Sequence, residues 1–425
     1  MCGYFYSNTI VPSNKSLTNV KRRGPDGFDD YHSDLGYFAH ALLVTIAPKT
    51  PQPIKNNHGV LVYNGSIYGV EGNDTRWLIS QLDDNMDHCI QVIKSLRGEY
   101  SLTWVTDNFI IFCADQWVTR NLWYYFSPED KVISISSVPD VIKEYHTGAW
   151  PCQGNKIYIL DKNTWTISTQ TNTEWDLTQT VNSYDSVFEN FEKAVELRIT
   201  DNHVISLSAG YDSGVIACAA KYGIQTKYNL KYVAISGAED KEILFKRLAI
   251  HKAHLIKEEL RDQDLVDDFL KLTHQPNAQA VQINRYTQLC DTGKKLAQHI
   301  HLTGRGGDEI YCDYGFNGQE LSPSSHFGGF FPSQLDLVWP WHGGRSFLYE
   351  AVTMQDYAYG YNGCEARVPL LDQLVVQSWL NTTHTLKNSK YKGWITEYMD
   401  TYDYPYDKTG MKVSGFGCEK MIART

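Results

Sequence analysis

The sequence predicts two domains of different class. An α+β body of stacked antiparallel sheets spans residues 1–165, an α/β domain with a parallel sheet spans 184–425, and a linker joins them at 166–183. Three observations carry this. Up to about residue 165, short apolar runs alternate with Gly, Asn, Asp and Pro turns, the pattern of antiparallel strands with few helices. From Tyr184 onward, helical stretches such as 188–198 alternate with strands such as 204–207 and 232–236, the order of a parallel sheet covered by helices. Between the two, 161–180 is rich in Thr and Asn and has no apolar period, which places the linker there.

Composition sets consistent bounds. With 425 residues the chain can bury two sizeable cores, and 13% aromatic residues lead us to expect well-filled interiors. A net charge of −10 without a basic run argues against a nucleic-acid partner. The 9 cysteines have no regular close spacing, which suggests neither a disulfide framework nor a zinc ribbon and makes a reducing cytoplasm the natural compartment. No signal peptide or membrane-length apolar span is visible, and no internal repeat or low-complexity tract.

The first element opens Met1-Cys2-Gly3. Removal of Met1 leaves Cys2 with a thiol and a free α-amine on one residue, and the amine can serve as base for the thiol. Gly3 allows a substrate to come close. Many chains begin Met-Cys without such a role, so the reading depends on three downstream segments. Arg22-Arg23-Gly24-Pro25-Asp26-Gly27 is a charged turn. Val60-Leu61-Val62-Tyr63 fits a buried strand ending at Asn64-Gly65, where an Asn amide beside a Gly N–H can donate to an oxyanion; the plain alternative is a hairpin turn. Asn73-Asp74-Thr75 precedes the apolar-periodic Trp77-Leu78-Ile79, so Asp74 is either a helix cap or a carboxylate for a substrate ammonium.

In the second half, Val204-Ile205-Ser206-Leu207 reads as a buried strand and 214–220 as the start of a small-residue helix. Between them Ser208-Ala209-Gly210-Tyr211-Asp212-Ser213 is a loop at a helix N-terminus, an arrangement that cradles phosphate. Ser208 and Ser213 add hydroxyl donors. Asp212 would repel a phosphate unless a cation sat between them, which argues for Mg2+. The spacing of a Walker loop is absent. His299-Ile300-His301-Leu302 reads as another strand, ending in Thr303-Gly304-Arg305-Gly306-Gly307-Asp308-Glu309. Ligands of parallel sheets sit beyond the carboxyl ends of the strands, so both loops can face one site with Asp212 and Asp308 as its Mg2+ pair. His299 and His301 alternate with apolar residues and read as strand side chains.

In this order the motifs resemble the class II glutamine amidotransferases, and specifically the asparagine synthetase family, over nearly the whole chain. Cys2, the segment Arg23 to Asp26, Asn64-Gly65-Ser66-Ile67-Tyr68 and Asn73-Asp74-Thr75-Arg76 are similar to the family's nucleophile, Arg-Gly-Pro-Asp, Asn-Gly-Glu-Ile-Tyr and Ser-Asp-Thr/Cys-Glu segments. The 208–213 loop resembles the Ser-Gly-Gly-x-Asp-Ser loop of ATP pyrophosphatases. Glu365-Ala366-Arg367-Val368-Pro369-Leu370-Leu371-Asp372 is similar to Glu-x-Arg-x-Pro-Phe-Leu-Asp. The resemblance implies an N-terminal nucleophile hydrolase fold, a four-layer αββα sandwich, followed by a parallel α/β adenine-nucleotide domain of the pyrophosphatase-loop type.

The resemblance also implies an activity. Glutamine is hydrolysed at Cys2, ammonia passes through an internal channel, and an acyl-adenylate made from ATP and a carboxylate, aspartate by default, is amidated with release of AMP and pyrophosphate. It implies Asn64 and Gly65 at the oxyanion and Asp74 at the glutamine ammonium. On the ATP side it implies Ser208, Gly210, Asp212, Ser213 and Gly304, with Ile235, Ser236 and Gly237 near the adenine. Lys408, in Lys408-Thr409-Gly410-Met411, is implied as the cation for the α-phosphate and pyrophosphate. Glu365 and Arg367 are implied as an ion pair fixing a loop beside ATP. The partners are then small molecules, and a homodimer is compatible with the resemblance.

Three departures stand out. Leu42 occupies the place of the family's glutamine-carboxylate Arg, so Arg22 or Arg23 is expected to do that work, or free ammonia is the better nitrogen source. Ser66 replaces a Glu. Arg305 replaces a Glu near the acceptor; together with Glu309 it is assigned to the acceptor pocket, where an Arg suits an acceptor with an additional carboxylate or phosphate. The plain alternative has Arg305 pointing outward or pairing with Glu309. The departures favour a specialised enzyme acting on a non-aspartate carboxylate. A non-catalytic sensor of glutamine or nucleotide is disfavoured, because a sensor needs neither nucleophile nor metal pair.

Overall fold

The computed structural model describes residues 1–46, 48–235, 240–256, 290, 292, 294–342 and 347–408. Twelve strands come first: β1 (Gly3–Ser7), β2 (Gly27–Ser33), β3 (Gly36–Leu42), β4 (Ile54–Lys55), β5 (Gly59–Ile67), β6 (Gly98–Thr106), β7 (Phe109–Ala114), β8 (Trp123–Ser127), β9 (Val132–Ser136), β10 (Trp150–Pro151), β11 (Lys156–Asp161) and β12 (Thr166–Thr171). They form two six-stranded sheets, ordered β10-β8-β9-β1-β3-β2 and β12-β11-β7-β6-β5-β4.

Side-chain alternation turns these sheets into layers. Along β5, Val60 and Val62 join Tyr4, Tyr6, Phe38 and Ile110 in the core between the sheets, while Leu61 and Tyr63 face the other way. That outer face is covered by α2 (Asp74–Gln81) and α3 (Met86–Lys94), which bury Leu78, Ile90 and Ile93 against it. The outer face of the first sheet is covered by α1 (Thr18–Arg22) and α4 (Asp140–Lys143), through Val20, Val141 and Ile142. The result is the expected four-layer αββα sandwich.

The second body follows α5 (Asp185–Arg198). Its parallel sheet is ordered β15-β14-β13-β16-β19, with β13 (His203–Leu207), β14 (Tyr232–Ile235), β15 (His254–Ile256), β16 (Ile300–Leu302), a small β17 (Gly315–Phe316) and β18 (Gln319–Glu320) hairpin, and β19 (Glu365–Arg367). Its helices among the described residues include α6 (Tyr211–Cys218), α7 (Lys241–His251), α8 (Gly307–Tyr311), α9 (Phe347–Gly360), α10 (Gln373–Leu380) and α11 (Gly393–Thr401), with a single turn at His384–Lys387 before the last. Asp240 caps α7 by accepting from the Glu242 and Ile243 amides. No helix among the described residues is long and apolar enough to cross a membrane. The eight cysteines among the described residues are free and buried.

Two local expectations change. Asn64-Gly65 is not a turn, because β5 runs through it to Ile67; Gly65 sits at φ 140°, and a Cβ there would lie 2.0 Å from the Glu99 carbonyl oxygen of β6. The sandwich also extends into the predicted linker, since β12 pairs with β11 from Lys156↔Thr171 to Asp161↔Thr166. As a mostly exposed edge strand it carries polar Thr and Gln, which conceals it from a search for apolar periodicity.

The two bodies meet through buried charge. Arg198 at the end of α5 donates to Glu99 Oε1 at 2.8 Å and to Asp372 Oδ2 at 2.9 Å, and Arg97 reaches the same Asp372 at 2.8 Å. Each end of this set comes from a different body.

Candidate active sites

Cys2 begins the first site. It is 9% exposed, and β1 starts one residue later, so its position is set by pairing with β3. Its backbone N–H donates to Asn64 Oδ1 at 2.8 Å, and its Sγ lies 3.4 Å from the Leu43 amide, which donates to it. Asn64 is fully buried, yet its Nδ2 has no hydrogen-bond partner among the described residues. A buried amide donor without a partner costs about 1–3 kcal/mol, so a group beside Cys2 that accepts from it would recover that cost. Burial pushes the Cys2 thiol up, with the neighbouring chain terminus opposing the rise. Met1, itself 2% exposed, carries a terminal ammonium that burial pulls below its ordinary range.

Cys2 opens onto a cavity of about 720 Å3, also lined by Asn64, Gly65, Asp74, Arg76 and Glu365. Asp74 is the first residue of α2, behind the cap Asn73, which accepts from the Arg76 amide. Its carboxylate accepts from Tyr63 Oη at 3.0 Å and from the Ile67 and Thr75 amides at 3.1 and 2.8 Å. Burial raises its carboxyl, and these donors work against the rise. It makes no ion pair among the described residues, so a ligand cation would be its first counter-charge.

Arg23 is elsewhere. It is fully buried beneath Cys2, donates from Nε to the Cys2 carbonyl at 3.0 Å and pairs with Asp356 at 2.8 Å. It does not line the cavity, because a guanidinium already committed to a buried carboxylate is a support and not a receptor. Arg22 lies over the Tyr361 ring and is likewise not in the cavity lining.

Glu365 and Arg367 face the same cavity. Glu365 Oε1 accepts from Arg367 Nε at 2.8 Å and Ser66 Oγ at 3.1 Å, Oε2 accepts from Thr45 at 2.8 Å, and Arg120 lies 3.9 Å away. Arg367 also donates to Ser66 Oγ at 3.0 Å. The expected ion pair is present; it forms the wall between the bodies and lines the Cys2 cavity, while the Arg367 carbonyl accepts from the Thr303 amide at the start of the loop after β16. Burial disfavours the Glu365 charge, but Arg367 and Arg120 outweigh it and hold its pKa down to about 2.

The second site lies at the carboxyl ends of β13 and β16. Gly210 caps α6, its amide donates to Ser208 Oγ at 3.1 Å, and Ser208 and Ser213 hydroxyls are 2.6 Å apart. Arg247 of α7 ties the loop from outside by donating to the Ser208 and Gly210 carbonyls. Glycine at 304 and 307 is required by Asp212: a Cβ at Gly307 would lie 2.1 Å from its Cγ and one at Gly304 2.8 Å from its Cβ. Asp212 and Asp308 do converge, and between them sits the ammonium of Lys392, 2.6 Å from Asp212 Oδ1 and 2.8 Å from Asp308 Oδ1. Burial raises the Asp212 carboxyl. Lys392, 2% exposed at its side chain, is held protonated by the two carboxylates despite its burial.

No group of three or more His, Cys, Asp or Glu side chains among the described residues could hold a metal. Two convergent carboxylates suit Mg2+, which is commonly bound through one or two of them with phosphate oxygens and water completing the shell.

Lys392 is the candidate site residue that the sequence motifs do not reveal. Lys408 lies apart from the two carboxylates, its side chain 66% exposed and its ammonium 3.6 Å from Asp400. Lys392 adopts a left-handed conformation (φ 48°) at the start of α11, which points its side chain inward. The sequence shows only one lysine in the run Lys387, Lys390, Lys392, with no local mark to separate it.

Near this site Arg305 is half-buried, with no hydrogen bond or ion pair among the described residues, and its charge acts on the Tyr314 and Tyr359 hydroxyls. It does not pair with Glu309. Glu309 is 3% exposed and spent inside the fold, accepting from the Gly306 amide at 3.1 Å and Tyr314 Oη at 2.8 Å, so it is not placed to hold an acceptor. Ile235 ends β14, and Ser236 and Gly237 lie outside the described residues. His301 is a strand side chain as expected, bonded to Ser206 at 2.6 Å and Tyr359 at 2.7 Å.

Among solved structures, the chain is similar to the glutamine phosphoribosylpyrophosphate amidotransferase of B. subtilis complexed with ADP and GMP, at 12% identity and a TM-score of 0.34 over 60% of this chain and 81% of that one. An allosteric regulatory enzyme of purine biosynthesis matches at 12% identity and 0.33 over 64% and 88%; a class II glutamine aminotransferase domain protein of Silicibacter pomeroyi matches at 10% and 0.24 over 40% and 99%. These likenesses are too slight to bear on activity. No curated protein matches the chain significantly. The asparagine synthase family model matches residues 186–336, which contain both loops of the second site. That match is confined to this segment, which is similar to an asparagine synthase domain.

Proposed function

We propose that the protein is a glutamine-dependent, ATP-consuming amide-forming enzyme whose default acceptor is aspartate. In this reading Met1 is removed and the free Cys2 amine takes the thiol proton. The thiolate attacks the glutamine carboxamide carbon, Asn64 Nδ2 and the Gly65 amide receive the oxyanion, and ammonia leaves as the C–N bond breaks. Water then releases glutamate from the thioester. At the second site the acceptor carboxylate attacks the α-phosphorus of ATP and pyrophosphate departs; ammonia attacks the acyl carbon and AMP leaves. Asp212 and Asp308 would hold Mg2+, which neutralises pyrophosphate oxygens when bound. Lys392 is placed to stabilise the same charge. Enclosing the acyl-adenylate limits its loss to water.

The observation that carries this reading is the division of the Asn64 amide: its oxygen fixes the Cys2 backbone, and its buried nitrogen is left beside the thiol without a partner among the described residues. The test is pyrophosphate release from ATP and Mg2+ with glutamine, with and without aspartate, and products read by mass spectrometry. Aspartate-dependent pyrophosphate together with asparagine is the expected result. Arg305, half-buried and unpaired among the described residues, favours a second reading in which the acceptor carries an additional carboxylate or phosphate. Bound ATP without response to aspartate, followed by pyrophosphate release with such an acceptor, would select it.

A further inference from the structure

The Cys2 cavity is lined by four basic side chains, and three are already committed. Arg367 is bound to Glu365, Ser66 and the Arg198 carbonyl. Arg120 donates to the Thr119 and Ala366 carbonyls and faces Glu365. Lys49 donates to the Asp26 carbonyl at 2.6 Å. The fourth, Arg76, is exposed, lines the cavity and makes no ion pair among the described residues.

The position of Arg76 is unfavourable for the helix that carries it. It stands in the first turn of α2, where the positive end of the helix dipole disfavours a cation. Two residues earlier in the same turn is Asp74, a largely buried carboxylate with no cationic partner among the described residues. Residues two apart on a helix do not face each other, so the two charges cannot quench one another and instead present two separate points to the cavity. A molecule bearing an ammonium and a carboxylate on one carbon matches that pair, and its side-chain carboxamide would then extend toward Cys2 and Asn64.

We infer that Arg76 is the receptor for the α-carboxylate of the donor and thereby restricts the first site to free α-amino acids. This rests on the reading of the Cys2 cavity as a glutamine site. Leu42 lines the same cavity but offers no charge, so the carboxylate contact has moved to the helix that already carries Asp74.

The test compares glutamine with glutamine α-amide, which keeps the ammonium and side chain but lacks the carboxylate, in steady-state hydrolysis by the full chain. In the unaltered protein glutamine should be the better substrate. Arg76→Ala should raise KM for glutamine about 30-fold, as expected for loss of a charge-assisted pair, with kcat within about threefold and KM for the α-amide unchanged. Arg76→Lys should restore part of the loss, and ammonia-dependent synthesis should be the same in all. An equal effect of Arg76→Ala on both substrates, or no effect, would overturn the inference while leaving the glutamine reading intact. Failure of the unaltered protein to bind or hydrolyse glutamine would overturn both.

Discussion

Asn64 shows how much one side chain can organise. Its oxygen holds the Cys2 backbone and its nitrogen has no partner among the described residues, so replacing it removes an anchor and, in the proposed reading, an oxyanion donor. Asn64→Ala should lower kcat for glutamine about 100-fold or more, the usual cost of losing such a donor, while ammonia-supported pyrophosphate release is retained. Cys2→Ala should abolish glutamine use and spare ammonia use; equal loss of both would sink the two-site reading. While Met1 precedes it, the Cys2 nitrogen is an amide and cannot take the thiol proton, so the proposed nucleophile lacks its base until Met1 is removed. Mass spectrometry of the N-terminus should find glutaminase activity only in molecules that lack Met1.

At the scale of elements, the strand-to-helix connections do the positioning. Gly304 and Gly307 precede Asp308 and allow Asp212 to approach within a distance no Cβ permits. Gly307→Ala should displace the Asp212 carboxylate and reduce ATP-dependent pyrophosphate release at least about 100-fold, with glutamine hydrolysis little changed. If both activities fall together, the defect is in folding and not in the ATP site. The strands β13 and β16 and the start of α6 are legible from short apolar runs and small residues, because both signals are local. The edge strand β12 and the passage of β5 through Asn64-Gly65 are not, since an edge strand has no buried face to mark it and an Asn-Gly pair normally marks a turn.

At the scale of the molecule, buried charge joins the two bodies. Arg198→Met would strand Glu99 without its cation and leave Asp372 with Arg97 alone, a change expected to cost about 3–5 kcal/mol and to lower the urea midpoint markedly. Glu365 makes the junction sensitive to acid. Its folded pKa of about 2 lies below the ordinary 4.5, so its contribution is fully present above 4.5 and is lost as pH falls toward 2. The shift corresponds to about 3 kcal/mol. Glu365→Gln should flatten that part of the stability profile measured by urea unfolding between pH 5 and pH 3.

By itself the sequence determined the class and order of the two domains and the convergence of Asp212 with Asp308, because each is written in a local run or in a loop at a strand end; the meeting of Cys2 with Asn64 was implied only by the family resemblance. Only the tertiary structure decided which cation lies between those carboxylates, since Lys392 reaches Asp212 across 180 residues. It likewise turned Arg23 into a buried support, spent Glu309 inside the fold, and placed Glu365 and Arg367 in the wall of the Cys2 cavity. The physical reason is common to all of them. A charged side chain takes its role from the counter-charges and desolvation that distant segments bring to it, and no local periodicity encodes that meeting.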